Sequence, residues 1–202
     1  MKTNSDLYTI IYSAILVVIV AFLLAFVSQA LKSRQETNVV LDVKKQILYS
    51  LNIRDLNDQV AEETYDKVVR DSTVADLPLY VCDIDGERKY VVPLKGMGLW
   101  GGISGYISID ADKSTVYGAY FNHESETAGL GAEIKDSRSW QEKFLGKKLF
   151  KDGEPGIALS IEKKVTDPIT QVDGVTGATL TSNGVRDMLK DCLDKYISFF
   201  QQ

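Results

Sequence analysis

Hydrophobic and polar positions divide the chain into one long apolar run and a longer stretch of short, changing periods. Leu7 to Leu31 contains no charged residue. At about 1.5 Å per residue, a helix over those positions is roughly 37 Å long, enough to cross a bilayer. Ser28 and Ala30 mimic a small-x-small cleavage site. The run nevertheless far exceeds the roughly 7 to 15 residues of a cleaved leader's apolar segment, so an uncleaved single-pass anchor is expected.

Beyond the anchor, Val40, Val43, Ile47 and Leu51 keep helical spacing and predict a juxtamembrane helix from about Asn38 to Leu51. A weaker pattern predicts a helix over Leu56 to Val69. Leu79 to Ile84 and Lys89 to Val92 flank Asp85-Gly86, which reads as a β-hairpin. Ile103 to Ile109 and Val116 to Phe121 form a second pair around the polar turn Ala111 to Ser114. Trp140 and Phe144 suggest a short helix from Asp136 or Ser137, and Ile157, Leu159 and Ile161 alternate as a half-buried strand does. Val185, Met188, Leu189, Cys192, Leu193 and Tyr196 line one face of an amphipathic helix starting near Ser182, which Thr181, Ser182 or Asn183 can cap. Strands grouped between helical segments predict an α+β fold: a transmembrane helix within residues 1–35, then a single mixed domain with antiparallel strands over 36–202.

Charge and composition then exclude whole classes of function. A net charge of -5 argues against a nucleic-acid partner. Cys82 and Cys192 are the only cysteines and His123 the sole histidine, with no CxxC, CxxCH or histidine cluster. A metal site, iron–sulfur centre or c-type haem held by this chain is therefore not expected, and any redox role needs an organic cofactor. Each cysteine reads as a small buried apolar side chain, and a disulfide between them is left open by the sequence. The glycine-rich runs GMGLWGG (96–102) and HESETAGLGAE (123–133) have neither P-loop nor dinucleotide-binding spacing.

The chemistry centres on DGVTGATLTS, Asp173 to Ser182, a small hydroxyl-rich turn ahead of the amphipathic helix. A helix start presents unpaired N–H groups and partial positive charge, so a phosphate beside Thr179 gains both hydrogen bonds and dipole stabilisation. An ordinary turn and cap uses the same residue types. DGVTGAT also resembles the Asp-x-x-[Ser/Thr]-Gly-Ala-Thr signature of covalently flavinylated FMN-binding domains. In that family a flavin transferase joins FMN through its phosphate to the last threonine, which falls on Thr179; Asp173, Thr176, Gly177 and Ala178 fill the other positions. GLWG (98–101) is similar to that family's aromatic loop, and ETAGLG (126–131) to its Glu-Thr-Pro-Gly-Leu-Gly segment, with Ala128 in place of proline.

The resemblance implies a ring site in which Leu99, Trp100 and Leu130 supply apolar contact, with Glu126, Thr127 and Gly129 beside its polar edge. Core packing is the competing expectation for Trp100, and loop capping for Glu126. His123 is given no role, and no catalytic residue is expected. The resemblance further implies an electron-transfer subunit of a membrane respiratory complex. The blocks KKQILYSLNI and ESETAGLGAEI look like the C subunits of sodium-translocating NADH:quinone reductases. The G subunits of Rnf ion-translocating complexes are the alternative, and a non-redox membrane-tethered binding module is a third reading. Lys32, Arg34, Lys44 and Lys45 after the span outnumber Lys2 and the terminal amine before it, which by the positive-inside rule puts the domain in the cytoplasm. The resemblance implies the extracytoplasmic side, and that is the expectation kept.

Overall fold

The computed structural model describes residues 6–74 and 76–201; Lys2, counted above for orientation, lies outside them. Asp6–Ser50 is one 45-residue helix, α1. The helix expected over Asn38 to Leu51 is thus the continuation of the apolar one, and no glycine or proline interrupts residues 31–50. The chain divides into two compact units, the first ending at Asp42 and the second running Val43–Gln202. In the first, apolar side chains from Leu7 to Leu31 are exposed around the helix, with a mean hydropathy of 3.1 in the most apolar window. Such an all-round apolar surface suits lipid better than water.

In the second unit α1 ends in a Schellman motif, with Asn52 left-handed at φ 61 and the Asn52 and Ile53 amides donating to the Tyr49 and Leu48 carbonyls. Helix α2 (Asp58–Val68) is capped by Asn57, whose side chain accepts from the Val60 amide at 2.9 Å. Five strands follow: β1 (Val69–Val74), β2 (Leu77–Ile84), β3 (Glu87–Met97), β4 (Gly102–Ile109) and β5 (Val116–His123). They pair antiparallel in chain order, so both expected hairpins are present. Asp85 and Gly86 both have positive φ, the geometry of the two-residue turn that matches strand twist. The sequence predicts helix through Val69, whereas β1 already begins there. Its VRDSTV exposes residues 70–73, a polar edge strand with no apolar alternation to betray it.

Alternation along β3 builds two cores. Val91 packs with Ile47, Leu51, Val69 and Cys82 on one face. Tyr90, Val92 and Leu94 join Phe121, Phe144 and Leu189 on the other. The short helices α3 (Glu133–Asp136) and α4 (Arg138–Gln141) cover part of that second face, and the later helix α5 (Thr179–Leu193) covers the rest. Between α4 and α5, strand β6 (Ser160–Glu162) is narrower than the alternation at 157–161 suggests. It pairs parallel with β7 (Gln171–Asp173), a strand with too little apolar pattern to expect. A last helix, α6 (Ile197–Phe200), closes the chain.

Cys82 and Cys192 are free, buried in different clusters on opposite faces of the sheet. Burial pushes the Cys82 thiol up to about 12. In the β4–β5 turn, burial of the Asp112 carboxylate opposes ionisation. Bonds from the Thr115 hydroxyl, the Ser114 and Thr115 amides and Lys148 outweigh it, holding the carboxyl well below the usual range. A depressed folded pKa contributes stability above the unfolded value of about 3.9 that is lost as pH falls through the folded one. Asp112→Asn is therefore expected to unfold at lower urea than wild type at pH 7, with the gap closing in strong acid; a pH-independent gap would refute the assignment.

Candidate functional site

Three loops separated in sequence meet at the start of α5. The helix begins at Thr179, three residues earlier than its apolar period suggests. Its N-cap is Ala178, and no side chain caps it. Thr181, Ser182 and Asn183 are thus inside the helix, correcting the capping expected of them. The Thr181 hydroxyl donates to Glu126 Oε2 at 2.6 Å, and Ser182 Oγ accepts from the Val175 amide at 3.0 Å. Both are buried; Ser182 ties down the preceding loop from within, and Thr181 holds the loop that carries Glu126.

That loop leaves β7 at Asp173, whose carboxylate pairs with Lys143 at 2.7 Å and whose carbonyl accepts from Trp140 Nε1 at 2.8 Å. Gly177 turns the chain with φ +78, and a side chain there would strike Leu130, placing the ETAGLG loop against the turn. Thr176, Gly177 and Thr179 are exposed, while Ala178 is buried. A recess of about 240 Å³ opens beside Thr179, lined also by Lys163, Gly174, Thr176, Ser182 and Asn183. A second recess of about 290 Å³ lies across the loop, with Gly129, Lys143, Asp173 and Thr176 in its wall.

Leu99, Trp100 and Thr127 line neither recess and are exposed. Trp100 is 66% exposed, so the core-packing expectation for it fails. The buried tryptophan is Trp140, packed between Phe121 and Phe144. Thr127 contributes its carbonyl to the Leu130 and Ala132 amides. Glu126 is buried beneath the loops, its Oε1 accepting from the Trp100 amide at 2.9 Å. His123, given no role from sequence, accepts the Glu126 amide on Nδ1 at 3.2 Å.

Nothing in the sequence marks Lys163 or Lys143 as a site residue, and Asn183 reads there only as a possible cap. Parallel pairing of β6 and β7 sets Glu162 opposite Asp173 and so brings Lys163 to the loop. No local pattern encodes that approach. The arrangement offers an exposed hydroxyl at an uncapped helix start, a lysine nearby, and exposed apolar side chains on two adjoining loops. A phosphate ester carrying a flat apolar ring fits such a donor set. Among the described residues, no group of histidine, cysteine or carboxylate side chains could hold a metal ion.

The FMN-binding domain family matches residues 98–194, the span holding all three loops. A crystal structure of the C subunit of the Na(+)-translocating NADH-quinone reductase from Parabacteroides distasonis superposes with a TM-score of 0.77 at 36% identity, covering 85% of this chain and 98% of that one. The corresponding C subunit of Pseudomonas aeruginosa is 36% identical over 131 residues, 59% of this chain and 49% of that protein. That of Chlamydia muridarum is 31% identical over 183 residues, 81% of this chain and 53% of the relative. The chain thus spans about half the length of these curated relatives. Its near-complete coverage of the Parabacteroides chain, together with the FMN-binding match over the assembled loops, shows that it belongs to the family of C subunits of Na(+)-translocating NADH-quinone reductases.

Proposed function

We propose that the chain carries FMN as a phosphoester on Thr179 and passes electrons within a Na+-translocating NADH:quinone oxidoreductase. One observation carries the reading: Thr179 is exposed in the first turn of a 15-residue helix whose N-cap, Ala178, leaves the orphan amides without a side-chain acceptor. Alanine is a poor N-cap, costing about 0.5 to 2 kcal/mol against serine or aspartate, and a phosphate supplies the missing acceptor. Lys163 lines the adjoining recess together with Glu162, and the lysine is the group there that can face the charge the diester keeps.

The other residues divide by what they do. Gly177 and Ala178, both small, leave the approach to Thr179 open to a modifying flavin transferase, and Thr176 lines the phosphate recess. Asp173, held by Lys143 and Trp140, fixes where the loop leaves the sheet. Leu99, Trp100 and Leu130 offer apolar surface to the ring, with Thr127 and Gly129 beside them. Bound FMN supplies the electron-carrying chemistry; the chain binds, orients and anchors it. The full activity belongs to the assembled complex with its other subunits. Residues 7–31 anchor the chain in the cytoplasmic membrane, with the domain over 36–202 on the extracytoplasmic side, where the modifying transferase of the family works.

The relatives above share the same C-subunit name, which favours this reading over the Rnf alternative. Its test is gentle extraction of the native protein from membranes. A flavin-fluorescent band that survives a denaturing gel and co-extracts with NADH-oxidising subunits is expected. A cysteine placed at Lys113 should react with an impermeant reagent in intact cells. A dark band defeats the covalent reading, and a protected cysteine defeats the orientation.

A further inference from the structure

Glu126 occupies a position unlike that of a residue waiting for a ligand. It is only 7% exposed, and both carboxylate oxygens are already engaged. Oε1 accepts from the Trp100 amide, 26 residues away in sequence, and Oε2 from the Thr181 hydroxyl, 55 residues away. The space it fills exists because two neighbours lack side chains. A Cβ at Gly98 would strike Oε1, and one at Gly131 would strike Oε2. Two of the three loops and the helix that follows the third therefore meet at one joint: Gly98 and Trp100 from the aromatic loop, Glu126 and Gly131 from the second, and Thr181 from the first turn of α5.

We propose that Glu126 is the positioning residue of this site: its buried carboxylate locks the Trp100 loop to the first turn of α5, so that the ring surface and Thr179 keep one fixed relation. The proposal rests on the reading that Thr179 carries FMN. Physically, a carboxylate is an acceptor only and so suits two donors at once. With Thr181 two residues beyond Thr179, the bond fixes the turn that holds the tether. With Trp100, it fixes the apolar loop on the other side. Loss of the carboxylate leaves the part-buried Trp100 amide and the buried Thr181 hydroxyl without their acceptor, which frees the loop to turn its amide to water. A tethered flavin would stay attached but lose its fixed surroundings.

Glutamine separates this role from charge. Its carbonyl can accept the Trp100 amide while its NH2 donates to Thr181, since a hydroxyl can reverse from donor to acceptor. Glu126→Gln should therefore keep the lock, and Glu126→Ala should break it at both ends. Thr181→Val, which keeps the shape, breaks only the helix end. Two measurements on the full chain test this. In protein made without the transferase, amide exchange at Trp100 should speed several-fold in Glu126→Ala and remain as in wild type in Glu126→Gln. In protein made with the transferase, all variants should carry the adduct. The visible circular dichroism of the flavin should then fall several-fold in Glu126→Ala and in Thr181→Val, and return in Glu126→Gln. Wild-type exchange in Glu126→Ala, or a wild-type flavin signal in folded Glu126→Ala and Thr181→Val, overturns the proposal. An adduct-free wild type would defeat the Thr179 reading instead, and the exchange measurement still judges Glu126.

Discussion

Thr179→Ala is expected to remove the flavin adduct completely while leaving the domain folded. Thr179 is exposed and starts a helix that alanine favours, so the stability change should stay within about 0.5 kcal/mol. The expected result is a dark band on a denaturing gel together with an unchanged unfolding midpoint. By sequence the next hydroxyls are Thr181 and Ser182, but Thr181 is 2% exposed and bonded to Glu126, and Ser182 is 4% exposed. Neither is reachable by a modifying enzyme without opening the first turn of α5. Fluorescence persisting in Thr179→Ala would move the attachment to the exposed Thr176 and break the helix-start argument.

Trp140→Ala should be the most destabilising single change near the site. The indole packs against Phe121 at 5.5 Å and Phe144 at 5.3 Å between centroids, and truncating so large a buried ring costs about 3 to 5 kcal/mol. Its Nε1 also donates to the Asp173 carbonyl, where the acceptor loop leaves β7. Trp140→Phe keeps most of the packing but loses that part-buried bond, at about 0.5 to 1.5 kcal/mol. Urea unfolding should rank wild type, Trp140→Phe and Trp140→Ala in that order, with adduct yield falling in the same order. A Trp140→Phe chain as stable and as fully flavinylated as wild type would show that the indole bond does not hold the loop.

What is legible in the sequence is what periodicity encodes. The anchor, the two hairpins and the buried face of α5 each repeat an apolar spacing over enough residues to be unmistakable. Strands β1 and β7 do not: one is a polar edge and the other three residues long, and both exist because a neighbour supplies their hydrogen bonds. Helix α5 starts earlier than its apolar period because its first turn is not apolar. Thr181 and Ser182 are buried there through hydrogen bonds rather than hydrophobic contact. A hydroxyl near a helix start reads as a cap, and nothing local distinguishes it from one that reaches back to a distant carboxylate.

The site divides the same way. DGVTGAT, GLWG and ETAGLG can each be picked out as short motifs, but their meeting point cannot. Glu126 joins them only through contacts 26 and 55 residues distant, and Lys163 arrives through the pairing of β6 with β7. Trp100 and Trp140 show the limit most plainly. Both are tryptophans near glycine or serine, yet one is exposed on the loop and the other is the anchor of the core.

The most direct test of the central claim is the mass of one peptide. Trypsin should release Val165 to Arg186, which contains Thr166, Thr170, Thr176, Thr179, Thr181 and Ser182. From protein made alongside its flavin transferase, that peptide is expected to carry a single FMN, with fragmentation placing it on Thr179. An unmodified peptide, or FMN on any other hydroxyl, would contradict the account.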